Sequence, residues 1–259
     1  MPDDASVYAI PRIVDDIREC IFYHTMDVPG YGVIEGEYDL RGNECSYLGG
    51  VDFSGKRVLE IGTASGYLCF HMERQGAEVV AFDLDENHSW DVVPFAGYDH
   101  EAHVHEFKKG LRKINNAFWL CHRLFNSKSR VVYGTVYDIP KEIGDVDITT
   151  FCATLVHFQN PFAALRNALC LTREKVVVTN IIWNRFLPYQ VLGLPRPQMT
   201  FVPQYKGFRH PDTWWFLPPG LVKDFLGVLG FRKTKVAYFL QKYRGRRRLA
   251  YTVIGERTR

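Results

Sequence analysis

The chain has 259 residues, of which 46% are hydrophobic and 24% charged, with a net charge of +3. That composition excludes a disordered chain. No apolar run approaches the roughly 20 residues that span a bilayer, and the start, MPDDASVYAI, lacks the basic-then-apolar pattern of a secretion signal.

Residues 5–25 are expected to begin with a helix, and residues 28–50, rich in Gly and Tyr, to form loop. From Lys56 the pattern becomes regular. RVLEI (57–61) reads as a short strand, SGYLCFHMERQG (65–76) as a helix closed by Gly76, and EVVAFDLD (78–85) as a second strand apolar on both faces. Strands of that kind belong to parallel sheets covered on both sides. Over residues 101–125, Phe107, Leu111, Ile114, Phe118, Cys121 and Phe125 recur at alternating steps of 4 and 3, the buried stripe of a helix. Lys108, Lys109, Arg112 and Lys113 fall largely off that stripe, on a solvated face. SRVVYGTV (129–136), DVDITTFCATL (145–155) and EKVVVTNIIW (174–183) are three further strands. NPFAALRNALCL (160–171) is a helix whose first turn accepts Pro161, because no backbone donor is needed there.

Residues 184–219 hold seven of the 13 prolines and several aromatics, which predicts a long functional loop or cap. GLVKDFLGVLGF (220–231) is a helix ending at Gly230, and KTKVAYFLQK (233–242) and LAYTVIGER (249–257) are strands joined by the basic turn YRGRRR. Alternating strands and helices closed by a hairpin predict one doubly wound α/β domain. Its parts are an N-terminal lid segment (1–50), a core (51–183), a substrate cap (184–219) and a closing helix and hairpin (220–259). Residues 241–259 carry seven basic side chains against Glu256, so that segment is +6 and the remainder −3. An anionic partner and a solvated turn both account for it. The six cysteines, at 20, 45, 69, 121, 152 and 170, form no CxxC pair and read as reduced, mostly buried thiols of a cytoplasmic protein.

The stretch VLEIGTASGYL (58–68) is a strand, a turn of small residues, then a helix. Small residues there let the backbone approach a ligand at the carboxyl edge of the sheet. A pyrophosphate-binding G-x-G-x-x-G/A is absent, because position 67 is Tyr, and no GxxxxGK[ST] occurs. Present instead is Glu60-x-Gly62-x-Ala64-x-Gly66. An acid leading the turn complements a ligand with positive charge and no phosphate, such as S-adenosylmethionine, which carries an ammonium and a sulfonium. Asp83, 23 residues after Glu60, ends the next strand, where a carboxylate accepts two ribose hydroxyls.

On these residues, 56–183 and 220–257 resemble a class I S-adenosylmethionine-dependent methyltransferase, which implies a Rossmann-like seven-stranded sheet with a C-terminal antiparallel hairpin. Glu60, Gly62, Thr63, Ala64, Gly66 and Tyr67 lie in its first motif, with Ala64 for the usual middle Gly. The same resemblance places Asp83 and Leu84 at the ribose, Thr135, Val136 and Tyr137 at the adenine, and Phe151 to Leu155, including Ala153, beside the methionine end. More narrowly, FYHTMDVPGYGVIEGEYD (22–39), LVHFQNP (155–161) and DTWWFLPPGLVKDFLGVLGF (212–231) are similar to the wobble-uridine tRNA methyltransferases and their relatives, including the tRNA carboxymethyl-transfer enzymes. That branch has Leu-Tyr-His where this chain has Leu155-Val156-His157, and its Tyr helps hold the extra carboxylate of the carboxylated cofactor. Val156 implies the plain cofactor and methyl transfer.

Methyl transfer asks an enzyme mainly for alignment, and for a base when the acceptor is a hydroxyl or ammonium. His157, after the fourth strand of the core, is the first candidate base, with His24 and His210 as others. Each is equally open to a structural role. Tyr23, Trp183, Trp214 and Trp215 are candidates to contact the acceptor, and Trp214 and Trp215 are as readily packing for the cap. His100, His103 and His105 lack a third ligand on a shared face, so no metal site is expected. The leading expectation is methylation of a small molecule, at oxygen of a natural product or sugar. The alternatives are a tRNA-modifying methyltransferase and a non-catalytic cofactor-binding protein. No membrane partner is expected.

Overall fold

The computed structural model describes residues 7–183 and 198–258. Residues 184–197, the first part of the expected cap, lie outside the described residues. The sheet has the order β3-β11-β12-β8-β7-β4-β5-β6. Its parallel centre is β4 (Arg57–Ile61), β5 (Glu78–Asp83), β6 (Arg130–Tyr133), β7 (Val146–Cys152) and β8 (Thr172–Ile181). β12 (Arg246–Glu256) runs antiparallel to β8, and β11 (Lys233–Tyr243) antiparallel to β12. β4 lies between β5 and β7, so the winding reverses at β4, the point at which such sheets bind ligands beyond their carboxyl ends.

Both faces of the parallel strands are apolar, and each collects its own core. Val58, Val79, Ala81 and Val177 pack with α2 (Tyr67–Arg74) and the middle of α3 (His100–Leu124). Leu59, Ile61, Val80, Val176 and Val178 pack with α4 (Pro161–Leu169) and α5 (Pro219–Val228). Of the α3 stripe, Leu111, Phe118 and Cys121 are buried and Phe107, Ile114 and Phe125 half-buried, and from Asn115 to Cys121 the helix is buried on every side. Asp99 caps this helix by accepting from Ala102 N at 2.9 Å.

Four expectations are revised. No α-helix forms over the described part of 5–25. A single 3-10 turn, Ile17–Glu19, interrupts an extended strap. Ile10 and Ile13 are exposed and give the segment no apolar stripe. The strap is held instead at scattered points, by Ala9 N donating to Val131 O (2.8 Å), Ile21 N to Lys113 O (3.0 Å), and Arg12 bridging Asn116 and Glu86.

Residues 28–50 are not all loop. β1 (Met26–Val28) and β2 (Gly32–Ile34) form a hairpin, α1 spans Glu44–Tyr47, and β3 (Tyr38–Asp39) pairs with β11, adding an eighth strand to the expected seven. Elements of two to four residues are too short to show a period. The hairpin turn is only Arg244 and Gly245, at φ 46° and 69°, because the strands run on through Tyr243 and Arg246. Finally, Cys45 and Cys170 are exposed, although all six thiols are free.

In the cap, β9 (Thr200–Phe201) pairs with β10 (Trp215–Phe216) as a small antiparallel ribbon. Its base is tied to the sheet by Tyr251, a fully buried side chain whose hydroxyl donates to Leu217 O (2.5 Å) and accepts from Asn180 Nδ2 (3.0 Å). Tyr251→Phe leaves both partners unpaired, which costs about 1–3 kcal/mol. Thermal denaturation should show Tm lower by roughly 2–4 °C for each of those kcal/mol, and an unchanged Tm contradicts the role given to this hydroxyl.

Candidate functional site

β4 runs into a turn whose backbone is left-handed at three alternate positions: Gly62 (φ 78°), Ala64 (φ 49°) and Gly66 (φ 86°). A Cβ at Gly62 would lie 2.3 Å from Thr154 Cγ2, and one at Gly66 2.5 Å from Phe70 Cε2, so neither position accepts a side chain. Ala64 adopts this conformation at a cost of about 1–2 kcal/mol. The turn is held from β5. Asp83 Oδ2 accepts from Ala64 N at 2.7 Å, and Oδ1 accepts from Leu84 N at 2.7 Å. Each oxygen keeps a lone pair for a sugar hydroxyl. Burial raises the Asp83 carboxyl to about 6, against the downward pull of the two amides. From α3, Asn115 Nδ2 donates to Leu84 O at 3.0 Å and fixes the end of β5.

Beneath the turn lies Glu60, 2% exposed. Burial pushes its carboxyl up to about 7, against the downward pull of the adjacent Thr63 hydroxyl and with Asp83 adding a smaller push. Its Oε2 has no hydrogen-bond partner, and neither do Thr63 Oγ1, Thr150 Oγ1, Thr154 Oγ1 and His24 Nδ1. These are five of the seven such buried side-chain atoms among the described residues, and all five adjoin one turn. Thr150 is paired with Glu60 across the strands, Thr154 touches Gly62, and the backbone of His24 donates to Ser65 Oγ at 3.2 Å. Buried polar groups are rarely left unpaired, and a cluster of them at a ligand edge matches a ligand bearing both donors and acceptors. The residues therefore fit S-adenosylmethionine, for which Glu60 would meet the ammonium, Asp83 the ribose, and Gly62, Thr63, Ala64 and Gly66 would form the backbone cradle.

The three candidate histidines sit at the carboxyl edge on different supports. His157 ends the 3-10 turn Leu155–His157 after β7. Its Nδ1 donates to the backbone oxygen of Asp212, and its ring stacks on Trp90 with centroids 6.5 Å apart. His24 is buried against Tyr67 (6.0 Å), and His210, at φ 61°, packs on Trp183 (4.7 Å). Tyr67 also donates its hydroxyl to Glu44 Oε1 at 2.5 Å.

Tyr137 is partly exposed, and its hydroxyl donates to Asp91 Oδ2 while accepting from Asn160 N (3.1 Å). Thr135 O caps a turn from Asp138 N (2.9 Å), whereas Val136 and Phe151 are buried in the α4–α5 core with their side chains away from the turn region. Ala153, at φ 59°, follows β7 and donates to Thr179 O (2.7 Å). Tyr23 lies between His24 and Tyr38, at 5.1 and 5.3 Å.

Trp214 is a packing anchor. It is 8% exposed, its indole N–H donates to Asp91 O, and its backbone N donates to Val156 O (2.9 Å). Trp215 is half-buried; it donates Nε1 to Gln159 O (3.0 Å) and meets Phe201 edge-on at 5.6 Å. Sequence reasoning missed Trp90, Asp91, Asp212, Ser65 and Gly36. Asp91 ties four segments together, because its carboxylate also accepts from Gln159 N at 2.6 Å. Only its place in the segment after β5 hinted at this. A cavity of about 480 Å³ lined by Asp145, Arg166 and Arg257 opens at the opposite, amino edge of the sheet, away from these groups.

A family model described as a methyltransferase domain matches residues 38–217. No curated protein matches the chain. Among solved structures, the N-terminal domain of EvdMO1 with S-adenosylhomocysteine bound aligns at TM-score 0.54 and 15% identity, covering 93% of this chain and 93% of that one. The same domain in the presence of S-adenosylhomocysteine and D-fucose gives 0.53, 15% identity and 93% of each chain. The S-adenosylmethionine-dependent methyltransferase SibL, in its apo form, gives 0.50 at 14% identity, over 85% of this chain and 56% of that one. These structural likenesses carry the fold; the family rests on the first match, which spans more than half the residues. By that match the chain belongs to the methyltransferase-domain family and is a class I S-adenosylmethionine-dependent methyltransferase.

Proposed function

We propose that the chain methylates a hydroxyl of a small molecule, a sugar or other natural product, with His157 as the general base. The observation that carries the reading is the anchoring of His157. Its Nδ1 faces a backbone oxygen, which only accepts, so Nδ1 holds the ring proton. In the neutral ring Nε2 then keeps its lone pair. Trp90 fixes the ring plane. When bound, the cofactor would supply an electrophilic methyl group to the acceptor oxygen and depart as the neutral thioether. His157 Nε2 takes the hydroxyl proton as the oxygen–carbon bond forms. Trp183, His210 and Trp215 at the same edge, with Tyr23 on the strap, supply flat surfaces for a ring-shaped acceptor. The D-fucose present with the EvdMO1 domain supports a sugar.

The reading treats residues 1–259 as one methyltransferase domain, with 1–50 and 184–219 flanking the acceptor. Six free thiols support a reducing, cytoplasmic setting. No described helix is long and apolar enough to cross a membrane.

A second reading, tRNA modification in the manner of the wobble-uridine enzymes, draws on the hairpin tip. β12 pairs with β8 only as far as Ala250 and Ile181, so Arg246, Arg247 and Arg248 project past the carboxyl edge. Lys242 and Arg244 are neutralised by Asp39 and Glu37, and Arg257 is spent on the carbonyls of Leu169 and Thr172. No carboxylate pairs with Arg246, Arg247 or Arg248 among the described residues.

Three outcomes are expected. His157→Gln lowers kcat on hydroxyl acceptors by about 10²–10⁴ while calorimetry finds S-adenosylhomocysteine affinity unchanged; full turnover by this variant removes the base. Glu60 in the folded chain holds its proton to about 7, against 4.5 ordinarily, so apo stability falls as pH rises between those values. Only the ionised form meets the ligand ammonium, so affinity should rise about tenfold from pH 6 to pH 8, and Glu60→Gln should bind weakly with no such rise. For the second reading, tRNA should bind with a steep salt dependence whose slope drops by about 2–3 when Arg246, Arg247 and Arg248 become Ala; absence of tRNA binding leaves the small-molecule reading standing.

A further inference from the structure

The N-terminal strap places one basic side chain against the cofactor turn, and the mechanism above does not use it. Thr25 N donates to Tyr38 O (2.7 Å) and Tyr38 N to Tyr23 O (3.1 Å), so the backbone around His24 is clamped from both sides. Gly36 lies directly on it: a Cβ there would fall 2.5 Å from the His24 carbonyl carbon. The His24 amide reaches Ser65 Oγ within the turn. The ring is enclosed by Tyr23, Tyr38 and Tyr67, with centroids 5.1, 6.1 and 6.0 Å away. It is 7% exposed, and Nδ1 has no hydrogen-bond partner.

An unpaired buried ring nitrogen is a net loss unless a ligand atom meets it. The other unpaired atoms of the turn, on Glu60, Thr63 and Thr154, would adjoin the amino-acid end of a cofactor seated here. That end carries an ammonium and a carboxylate. Glu60 complements the first. The second needs a donor with positive character, and among residues 22–25, 60–67 and 150–155, which meet at this turn, His24 is the sole basic side chain. We propose that His24 is a cofactor-binding residue whose Nδ1–H donates to the α-carboxylate of S-adenosylmethionine, and that the strap thereby closes over the methionine end. The inference rests on cofactor binding and is independent of the acceptor and of His157.

The surrounding charges agree. Tyr67 is engaged with Glu44, Glu37 is paired with Arg244, and burial keeps the phenols of Tyr23 and Tyr38 protonated, so no anion of the chain already occupies Nδ1. Burial also lowers the His24 ring to about 3, which makes it a poor proton acceptor but leaves it a hydrogen-bond donor. A base role for His24 is disfavoured by the same fact.

Titration calorimetry with three ligands tests this: S-adenosylhomocysteine, its decarboxylated analogue, and 5′-methylthioadenosine, which lacks the whole amino-acid end. The unaltered protein should prefer S-adenosylhomocysteine to the decarboxylated analogue by about ten- to hundredfold, the range of a charge-assisted hydrogen bond. His24→Ala should abolish that preference and leave 5′-methylthioadenosine binding within twofold. His24→Asn, whose amide N–H lies where Nδ1 does, should restore much of it, and His24→Gln should not. Equal affinity of the unaltered protein for the first two ligands overturns the proposal. So does an equal loss of all three in His24→Ala, which marks a packing role alone. Should that variant fail to fold, the ¹⁵N resonance of Nδ1 in the unaltered protein decides: it should shift with S-adenosylhomocysteine and stay in place with 5′-methylthioadenosine, and identical spectra overturn the assignment.

Discussion

The Asp83 carboxylate joins the ends of two adjacent strands. One oxygen holds the Ala64 amide and the other the Leu84 amide, each at 2.7 Å. Gly62 N also reaches β5, at Phe82 O (2.8 Å), but without the Asp83 carboxylate the left-handed Ala64 would lose the bond that holds its amide. The arrangement works because β4 and β5 are neighbours at the point where the sheet reverses its winding, so the end of one strand lies within reach of the turn that leaves the other. The hydrogen bonds that hold the turn are made by the same group that would receive the ribose if the cofactor binds as its residues suggest. Shape and recognition at this edge therefore stand or fall together.

Burial at the turn sets a further constraint. Glu60 and Asp83 are both raised, and burial is the first cause for each. Two carboxyls side by side in apolar surroundings destabilise the empty chain as they ionise. A ligand ammonium reverses that sign. The free energy lost in the empty chain would then return as ligand affinity, which would favour a cationic nucleoside over an anionic one such as a dinucleotide.

Much of this was legible in the residues themselves. β4 occupies the same five residues read from the apolar run, because a strand covered on both faces needs no periodicity to be recognised. α3 was equally plain, since one apolar stripe recurs from Phe107 to Phe125. The short strands before residue 40 were not, because two or three residues carry no pattern. Motif position did not fix side-chain direction either: Phe151 stands where the resemblance puts the methionine end, yet the alternation of β7 turns its ring into the core. Asp91 and Asp212 were invisible for a different reason. Asp212 acts on His157 through its backbone oxygen, which carries no residue identity, and Asp91 acts on Trp214 through its backbone oxygen and on Tyr137 and Gln159 through its carboxylate, partners too far along the chain for any local pattern to link.

The two sides of the site are built by opposite parts of the chain, and each reaches the sheet through its backbone. From the N-terminal side, the strap sets His24 on Ser65. From the C-terminal side, the ribbon sets Asp212 on His157 and Trp214 on Val156. Between these supports the rim side chains are themselves packed: Trp183 lies against both cores, and Trp215 donates to Gln159 O. Trp183, His210 and Trp215 lie at this edge, beside the carboxyl ends of β7 and β8. On the proposed reading, carboxylates at the sheet edge would fix the donor and a rim held by amides would face the acceptor, so the donor's position would be constrained by the fold and the acceptor's by the rim residues. That division explains how one fold keeps its cofactor turn while its acceptor is decided elsewhere.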